Sequence, residues 1–150
     1  MKTLKYSRQR ESIKACLMNR HDHPTADAIY ASIREEFPSI SLGTVYRNLD
    51  LLVELGEARK LTFGDGKDHF DGDTAPHYHF VCRCCGGIQD LPPLWALDLE
   101  DKMQPHIHGK IDSHSIDFYG ICSDCMAQQG TNPFPELTRI FSQKGLTFKK

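Results

Sequence analysis

Apolar residues in the first third of the chain recur at intervals of three and four, a period that predicts short amphipathic helices. Ser7 caps a helix running to about Asn19, with Ile13, Cys16 and Leu17 on one face. His23-Pro24-Thr25 then breaks the pattern, because proline disfavours helix in the residue before it. Thr25 caps a second helix, Ala26 to Glu36, with Ile29, Ile33 and Phe37 as its buried stripe. Pro38 ends that helix, Ser41 caps a third, and Gly56 takes its C′ position. Leu42, Val45, Leu49, Leu52 and Val53 face the core from this third helix, while Thr44, Tyr46, Arg47 and Asn48 point elsewhere. Extended runs at Ala58–Phe63 and Asp68–Asp71 flank a Gly64-Asp65-Gly66-Lys67 turn and predict a hairpin. Helices followed by a hairpin fit a winged helix, or equally a plain helical bundle whose hairpin contacts protein.

The second half changes register. His77 to Val81 is strand-like, Pro92-Pro93 breaks the chain, and a helix is expected from Leu94 to Met103. A long alternating run, Ile111 to Ile121, carries Ile111, Ile116, Phe118 and Ile121 as its apolar members, and the tail beyond Gln128 holds one expected helix, Pro135 to Gln143. The fold class is α+β. With 150 residues the chain has room for one ordinary domain or two small ones, and neither half buries a large core alone, so a staple or partner subunit is expected.

Composition narrows the class. Hydrophobic residues at 39% and charged residues at 25% are those of a soluble protein. No apolar run approaches the roughly 18 residues that span a bilayer. The start, Met1-Lys2-Thr3-Leu4-Lys5, leads into polar residues and is not a signal peptide, which predicts a cytoplasmic protein with no membrane partner. A net charge of −2 speaks against nucleic acid, whose binding is led by phosphate neutralisation. The halves differ, however: residues 1–70 hold 11 Lys/Arg against 10 Asp/Glu, and residues 71–150 hold 7 against 10.

The strongest chemical signal is Cys82-x-x-Cys85 paired with Cys122-x-x-Cys125. Two such knuckles supply the closed tetrahedral sulfur shell of structural zinc. A redox site needs only one pair, and disulfides do not suit a chain without a secretory leader. Cys84 is spaced too closely to Cys82 to join the knuckle, and Cys16 reads as a core residue.

The second signal is His77-Tyr78-His79, two imidazoles on one face of a strand. Alone, such a pair is more often two surface histidines. Asp71 at the end of the hairpin and Asp90 after the knuckle add oxygen donors, and a mixed N/O set suits Fe²⁺, Mn²⁺ or Zn²⁺. His21, His69, His106 and His108 read as solvated.

Several of these runs together closely resemble the ferric uptake regulator family: His23-Pro24-Thr25-Ala26-Asp27-x-Ile29-Tyr30, Gly43-Thr44-Val45-Tyr46-Arg47-Asn48-Leu49, His77-Tyr78-His79 and the two knuckles. The resemblance implies an N-terminal winged-helix DNA-binding domain, residues 1–72, and a C-terminal α/β dimerisation domain with the Cys₄ zinc site, residues 73–150. It also implies a homodimer on palindromic operator DNA. His23 becomes a fifth ligand beside Asp71, His77, His79 and Asp90, holding regulatory Fe²⁺ or Mn²⁺. Asp at both carboxylate positions, and Asn48 after Tyr46-Arg47, resemble the peroxide-responsive repressor branch, in which iron-catalysed oxidation strikes a ligand histidine, by position His23 or His77. His114 matches one ligand of a second site in iron-uptake members, but Pro76 and Tyr78 stand where others would be.

Tyr46, Arg47 and Asn48 are the expected groove contacts, with Arg8, Arg10 and Lys60 on phosphates. The alternatives are a ferrous-iron-responsive repressor of iron uptake with the same fold, and a non-haem iron oxygenase built on two histidines and a carboxylate. Five candidate ligands leave the oxygenase little open coordination, and a thiol oxidoreductase does not need two knuckles.

Overall fold

The computed structural model describes residues 5–93 and 98–128. Helix α1 spans Arg8–Met18, α2 Ala26–Ile33 and α3 Leu42–Glu54. Each begins where a hydroxyl side chain accepts a bond from an otherwise unpaired backbone N–H: Ser7 from Arg10, Thr25 from Ala28 and Ser41 from Thr44. Such caps contribute about 1 kcal/mol apiece. Gly56, at φ +71°, closes α3 in the left-handed conformation that a C′ residue needs. The expected extension of α2 to Glu36 is instead a tighter turn, with Glu36 N bonded to the Ile33 carbonyl, as the chain bends towards Pro38.

The helices meet over one core. Ile13, Leu17, Ile29, Val45, Leu49, Leu52 and Phe70 are essentially fully buried, with Cys16, Phe37 and Val53 packed against them. Phe70 comes from the hairpin, β1 Arg59–Leu61 and β2 His69–Asp71, which pair antiparallel with Lys60 opposite Phe70. Three helices and a hairpin around this core are the winged helix. At the hairpin's exit a Cβ on Gly72 would lie 2.9 Å from Met18 Sδ and 3.1 Å from Met18 Cα, so only glycine lets the chain pass α1 this closely.

A second sheet follows, in the order β4-β3-β5. Strand β3, Tyr78–Cys82, is central; β4, Ile88–Leu91, pairs antiparallel and β5, Asp117–Gly120, pairs parallel. Between β4 and β5 lie α4, Leu99–Met103, and a 3₁₀ turn, Gln104–His106; α5, Ser123–Gln128, follows β5. The alternating run expected from Ile111 yields only this four-residue strand. Its first part is taken up by a loop clamped on Gln104, whose side chain donates to the Gly109 carbonyl and accepts from Ile111 N. Phe118, one of the apolar members of that run, is 49% exposed. The first residues of the helix expected from Leu94, and the helix expected at Pro135 to Gln143, lie outside the described residues.

Candidate metal centres

The His23 loop, the end of β2 and strands β3 and β4 converge on one buried cluster. Asp71 Oδ2 lies 3.0 Å from His77 Nε2 and 3.7 Å from both His23 Nε2 and His79 Nε2. Asp90 Oδ1 lies 2.9 Å from His23 Nε2, 3.5 Å from His77 Nε2 and 3.9 Å from His79 Nε2, and its side chain, 38% exposed, closes the solvent side. The ladder explains part of this, since Asp90 sits directly across from His79. His77 and His79 share a face because one residue separates them on the strand.

The donor set fits a divalent cation. His23 Nε2, His77 Nε2, His79 Nε2 and Asp71 Oδ2 are all buried, and none makes a hydrogen bond of good geometry, although they crowd within 4 Å of oxygens or nitrogens of opposite polarity. Buried polar atoms left this way are costly. Donors around an ion at roughly 2.1 Å stand about 3 Å apart when adjacent and about 4.2 Å apart when opposite, the range of the nitrogen–oxygen separations here, and His23, His77, His79 and Asp90 form the set whose donor atoms all lie within 4.8 Å of one another. The outward atoms are fixed: His77 Nδ1 donates to the Ala75 carbonyl at 2.8 Å, Asp71 Oδ1 accepts from Asp73 N at 2.8 Å, and His79 Nδ1 lies 3.5 Å from Asp117 Oδ1. Such outer partners orient the inward lone pairs. Burial opposes a charged His23, but Asp71 and then Asp90 outweigh it and hold the imidazole above its usual value. Burial likewise pushes the Asp71 carboxyl up, yet His23, His79 and the Asp73 N–H hold it far below the carboxylate range.

Cys82, Cys85, Cys122 and Cys125 place their sulfurs within 4.8 Å of one another, without a disulfide. Cys85 Sγ and Cys122 Sγ are 3.8 Å apart, the separation of about 3.8 Å that tetrahedral zinc with roughly 2.3 Å bonds requires. Gly86, at φ +72°, donates to the Cys82 carbonyl and turns the first knuckle, and α5 carries the second. Backbone N–H groups of Cys85 and Cys122 draw the Cys82 thiol down to about 6, whereas the neighbouring Cys122 thiol, then burial, push Cys125 far up. Four thiols in one another's field ionise together only around a cation. Cys84 stays outside this four-sulfur set.

In the winged helix, α3 exposes Tyr46 and Arg47 and half-buries Asn48. Tyr46 Oη reaches Asp27 at 3.4 Å, Arg47 donates to Thr44 Oγ1 and Asn48 donates to the Thr44 carbonyl. Arg8 is exposed beside Glu36, and Lys60 pairs with Asp50 and Asp68 at 3.1 Å each. Arg10 departs from its expected place on phosphate. It is 8% exposed and donates to the Lys5 carbonyl at 2.9 Å, so its guanidinium is committed to the protein. His69 departs from expectation too. It is buried, because β2 turns it inward onto the His23 carbonyl rather than out to solvent. His21, His106 and His108 are exposed, and His114 bonds Tyr78 Oη and Glu100 at 2.8 and 2.7 Å.

A winged helix whose loop enters a histidine–carboxylate cage on a separate sheet, beside a Cys₄ zinc site, defines a metal-responsive regulator. The model of the ferric uptake regulator family matches residues 1–119. The peroxide-responsive repressor PerR of Staphylococcus aureus (strain USA300) is 37% identical over 117 residues, 78% of this chain and 79% of that protein. Among solved structures, the Campylobacter jejuni peroxide stress regulator superposes with a TM-score of 0.69 at 34% identity, over 78% of this chain and 88% of that one. The Helicobacter pylori ferric uptake regulator Fur superposes with a TM-score of 0.72 at 24% identity, over 82% and 83%, a likeness of fold. The chain belongs to the ferric uptake regulator family. It is a regulator and not an enzyme, and the oxygenase reading falls away.

Proposed function

We propose that the chain is a cytoplasmic, peroxide-responsive transcriptional repressor that binds operator DNA as a homodimer. Residues 1–72 form its DNA-binding unit and residues 73–150 its metal-binding dimerisation unit. Cys82, Cys85, Cys122 and Cys125 hold structural Zn²⁺, while His23, Asp71, His77, His79 and Asp90 hold the regulatory ion. Tyr46, Arg47 and Asn48 face the groove, with Arg8 and Lys60 on phosphates. The observation that carries the reading is that His23, from the winged helix, stands among donors of the second sheet, 2.9 Å from Asp90. The likeness to PerR and to the C. jejuni regulator supplies the peroxide branch.

His23 and Asp90 join the two units only in one relative arrangement, so whatever holds them together selects it, and with it the spacing of the two α3 helices in a dimer. Fe²⁺ held by these residues would lend an electron to O–O cleavage and recover it from the imidazole, so that peroxide itself is the two-electron oxidant, a chemistry Mn²⁺ would not supply. Oxidation of His23 or His77 adds one peroxide oxygen to the imidazole while the other leaves as water. An oxidised ring no longer offers the cage its nitrogen donor, and the arrangement that favours DNA is lost.

The test is operator binding by Fe²⁺- and Mn²⁺-loaded protein before and after a small peroxide dose, with peptide mass spectrometry over His23 and His77. Loss of DNA binding by the iron form alone, with one added oxygen on either histidine, is the expected result. If both forms keep DNA and neither histidine changes, the chain is a metal-level repressor.

A further inference from the structure

Between the wing and the cage stands a histidine that the reading above leaves unused. His69 is 9% exposed. Its Nδ1 lies 2.8 Å from the His23 carbonyl oxygen and its Nε2 2.9 Å from Asp65 Oδ2, each within hydrogen-bond reach. Asp65 is the tip of the hairpin turn, between two glycines of positive φ, and also accepts from Lys67 N. At the other end, His23 has φ +49°, a left-handed conformation that a non-glycine residue before proline does not hold unaided. It is held from β2: Phe70 N donates to the Pro24 carbonyl at 2.9 Å, and Thr25 bridges to His69. Phe63, on the stem of the wing, packs on both sides of this path, its ring 5.7 Å from His69 and 5.5 Å from His79.

We propose that His69 is a positioning residue that couples the wing to the cage, so that fixing His23 among the metal donors also fixes the wing tip, Asp65 to Lys67, for the DNA backbone. The proposal rests on the reading of the cage as the regulatory metal site. A wing that moved independently of the ion would touch DNA equally well in the metal-free protein. Through His69 the same displacement of the His23 backbone reaches the tip by two hydrogen bonds, without any contact between wing and metal.

The experiment uses the full chain with Mn²⁺ as probe, following Mn²⁺ affinity, thermal unfolding, and amide hydrogen exchange over residues 62–68 with and without the ion. In the unmodified protein Mn²⁺ slows exchange over 62–68 by about tenfold, the scale of a charge-assisted hydrogen bond. Asp65→Ala, at an exposed turn, keeps Mn²⁺ affinity and unfolding temperature but loses that slowing. Asp65→Asn, which keeps an acceptor, retains it, and His69→Phe loses it while also weakening Mn²⁺. If Asp65→Ala protects 62–68 on Mn²⁺ addition as well as the unmodified protein does, the coupling is overturned and the cage stands. If the unmodified protein takes up no Mn²⁺, the cage reading fails and the coupling with it.

Discussion

His23 Nε2 stands 2.9 Å from Asp90 Oδ1, although one residue belongs to the winged helix and the other to the second sheet. This pair crosses between the two units, so removing it tests the cage and the arrangement together. Outer-sphere partners of metal ligands are worth about 10- to 100-fold in affinity, and loss of a direct donor exceeds that. His23→Ala and Asp90→Ala are each expected to weaken Mn²⁺ binding by at least about 100-fold and to abolish metal-dependent operator binding. Thermal unfolding of the metal-free protein falls only by what the pairing of His23 with Asp71 and Asp90 contributes, because neither side chain belongs to the core of the winged helix. Mn²⁺ titration by electron paramagnetic resonance, beside a gel-shift assay, checks both; full operator binding by Asp90→Ala would remove it from the cage.

The cysteines divide by geometry. Cys82, Cys85, Cys122 and Cys125 close one four-sulfur shell, and Cys84, although adjacent in sequence, is outside it. Serine at any of the four is expected to abolish zinc retention and melt the β4-β3-β5 sheet, since structural zinc contributes on the order of 10 kcal/mol to small domains. Cys84→Ser and Cys16→Ser keep stoichiometric zinc. Metal analysis of purified variants and their circular dichroism decide the matter: zinc lost with Cys84→Ser would mean that the shell is drawn from other thiols.

The two sites were unequally legible in the sequence. Knuckle spacing is local, so the cysteines could be read without the fold. Asp71 and Asp90 could be proposed from their proximity to His77-Tyr78-His79, but the register that sets Asp90 opposite His79 is a property of the folded ladder. His23 came only through resemblance, because nothing local distinguishes a ligand from an ordinary loop histidine before Pro24. Helix starts were legible from Ser7, Thr25 and Ser41, whose capping is chemistry of adjacent residues. The inward turn of His69 and Arg10 was not, since polar side chains declare burial only when their partners, the His23 and Lys5 carbonyls, are in place.

Protons compete for the cage with a definite sign. In the metal-free protein His23 is held above its ordinary value, so its pairing with Asp71 and Asp90 stabilises the fold fully below about 6.5, and this contribution is lost as pH rises through the elevated value. Asp71 is held below its ordinary value, so its contribution is present above about 4 and is lost only in stronger acid. Between these limits the protonated cage is at its most stable and resists metal most. Mn²⁺ affinity is therefore expected to fall by roughly tenfold per pH unit, one proton displaced per ion, as pH drops below the elevated His23 value. Titration calorimetry in buffers of different ionisation enthalpy counts the protons, and an affinity flat from pH 8 to 6 would contradict this account.

The basic side chains of the winged helix separate in the same way once burial is considered. Arg8 and Lys60 are on the surface, each engaged by carboxylates that exchange readily with phosphate, whereas Arg10 is buried against the Lys5 carbonyl. Exposed ion pairs of this kind contribute about 0–1 kcal/mol, so their rearrangement on DNA costs little. Arg8→Ala and Lys60→Ala are expected to weaken operator binding and each to lower the salt dependence, log Kd against log salt, by about one unit. Arg47→Ala, on the exposed face of α3, reduces discrimination between operator and unrelated duplex. Arg10→Ala leaves the salt slope unchanged and instead lowers thermal stability, because the Lys5 carbonyl loses its donor and the N-terminal segment its anchor on α1. Fluorescence anisotropy across a salt series, with melting curves of the same variants, separates the two outcomes; a salt slope reduced by Arg10→Ala would place that guanidinium on the DNA after all.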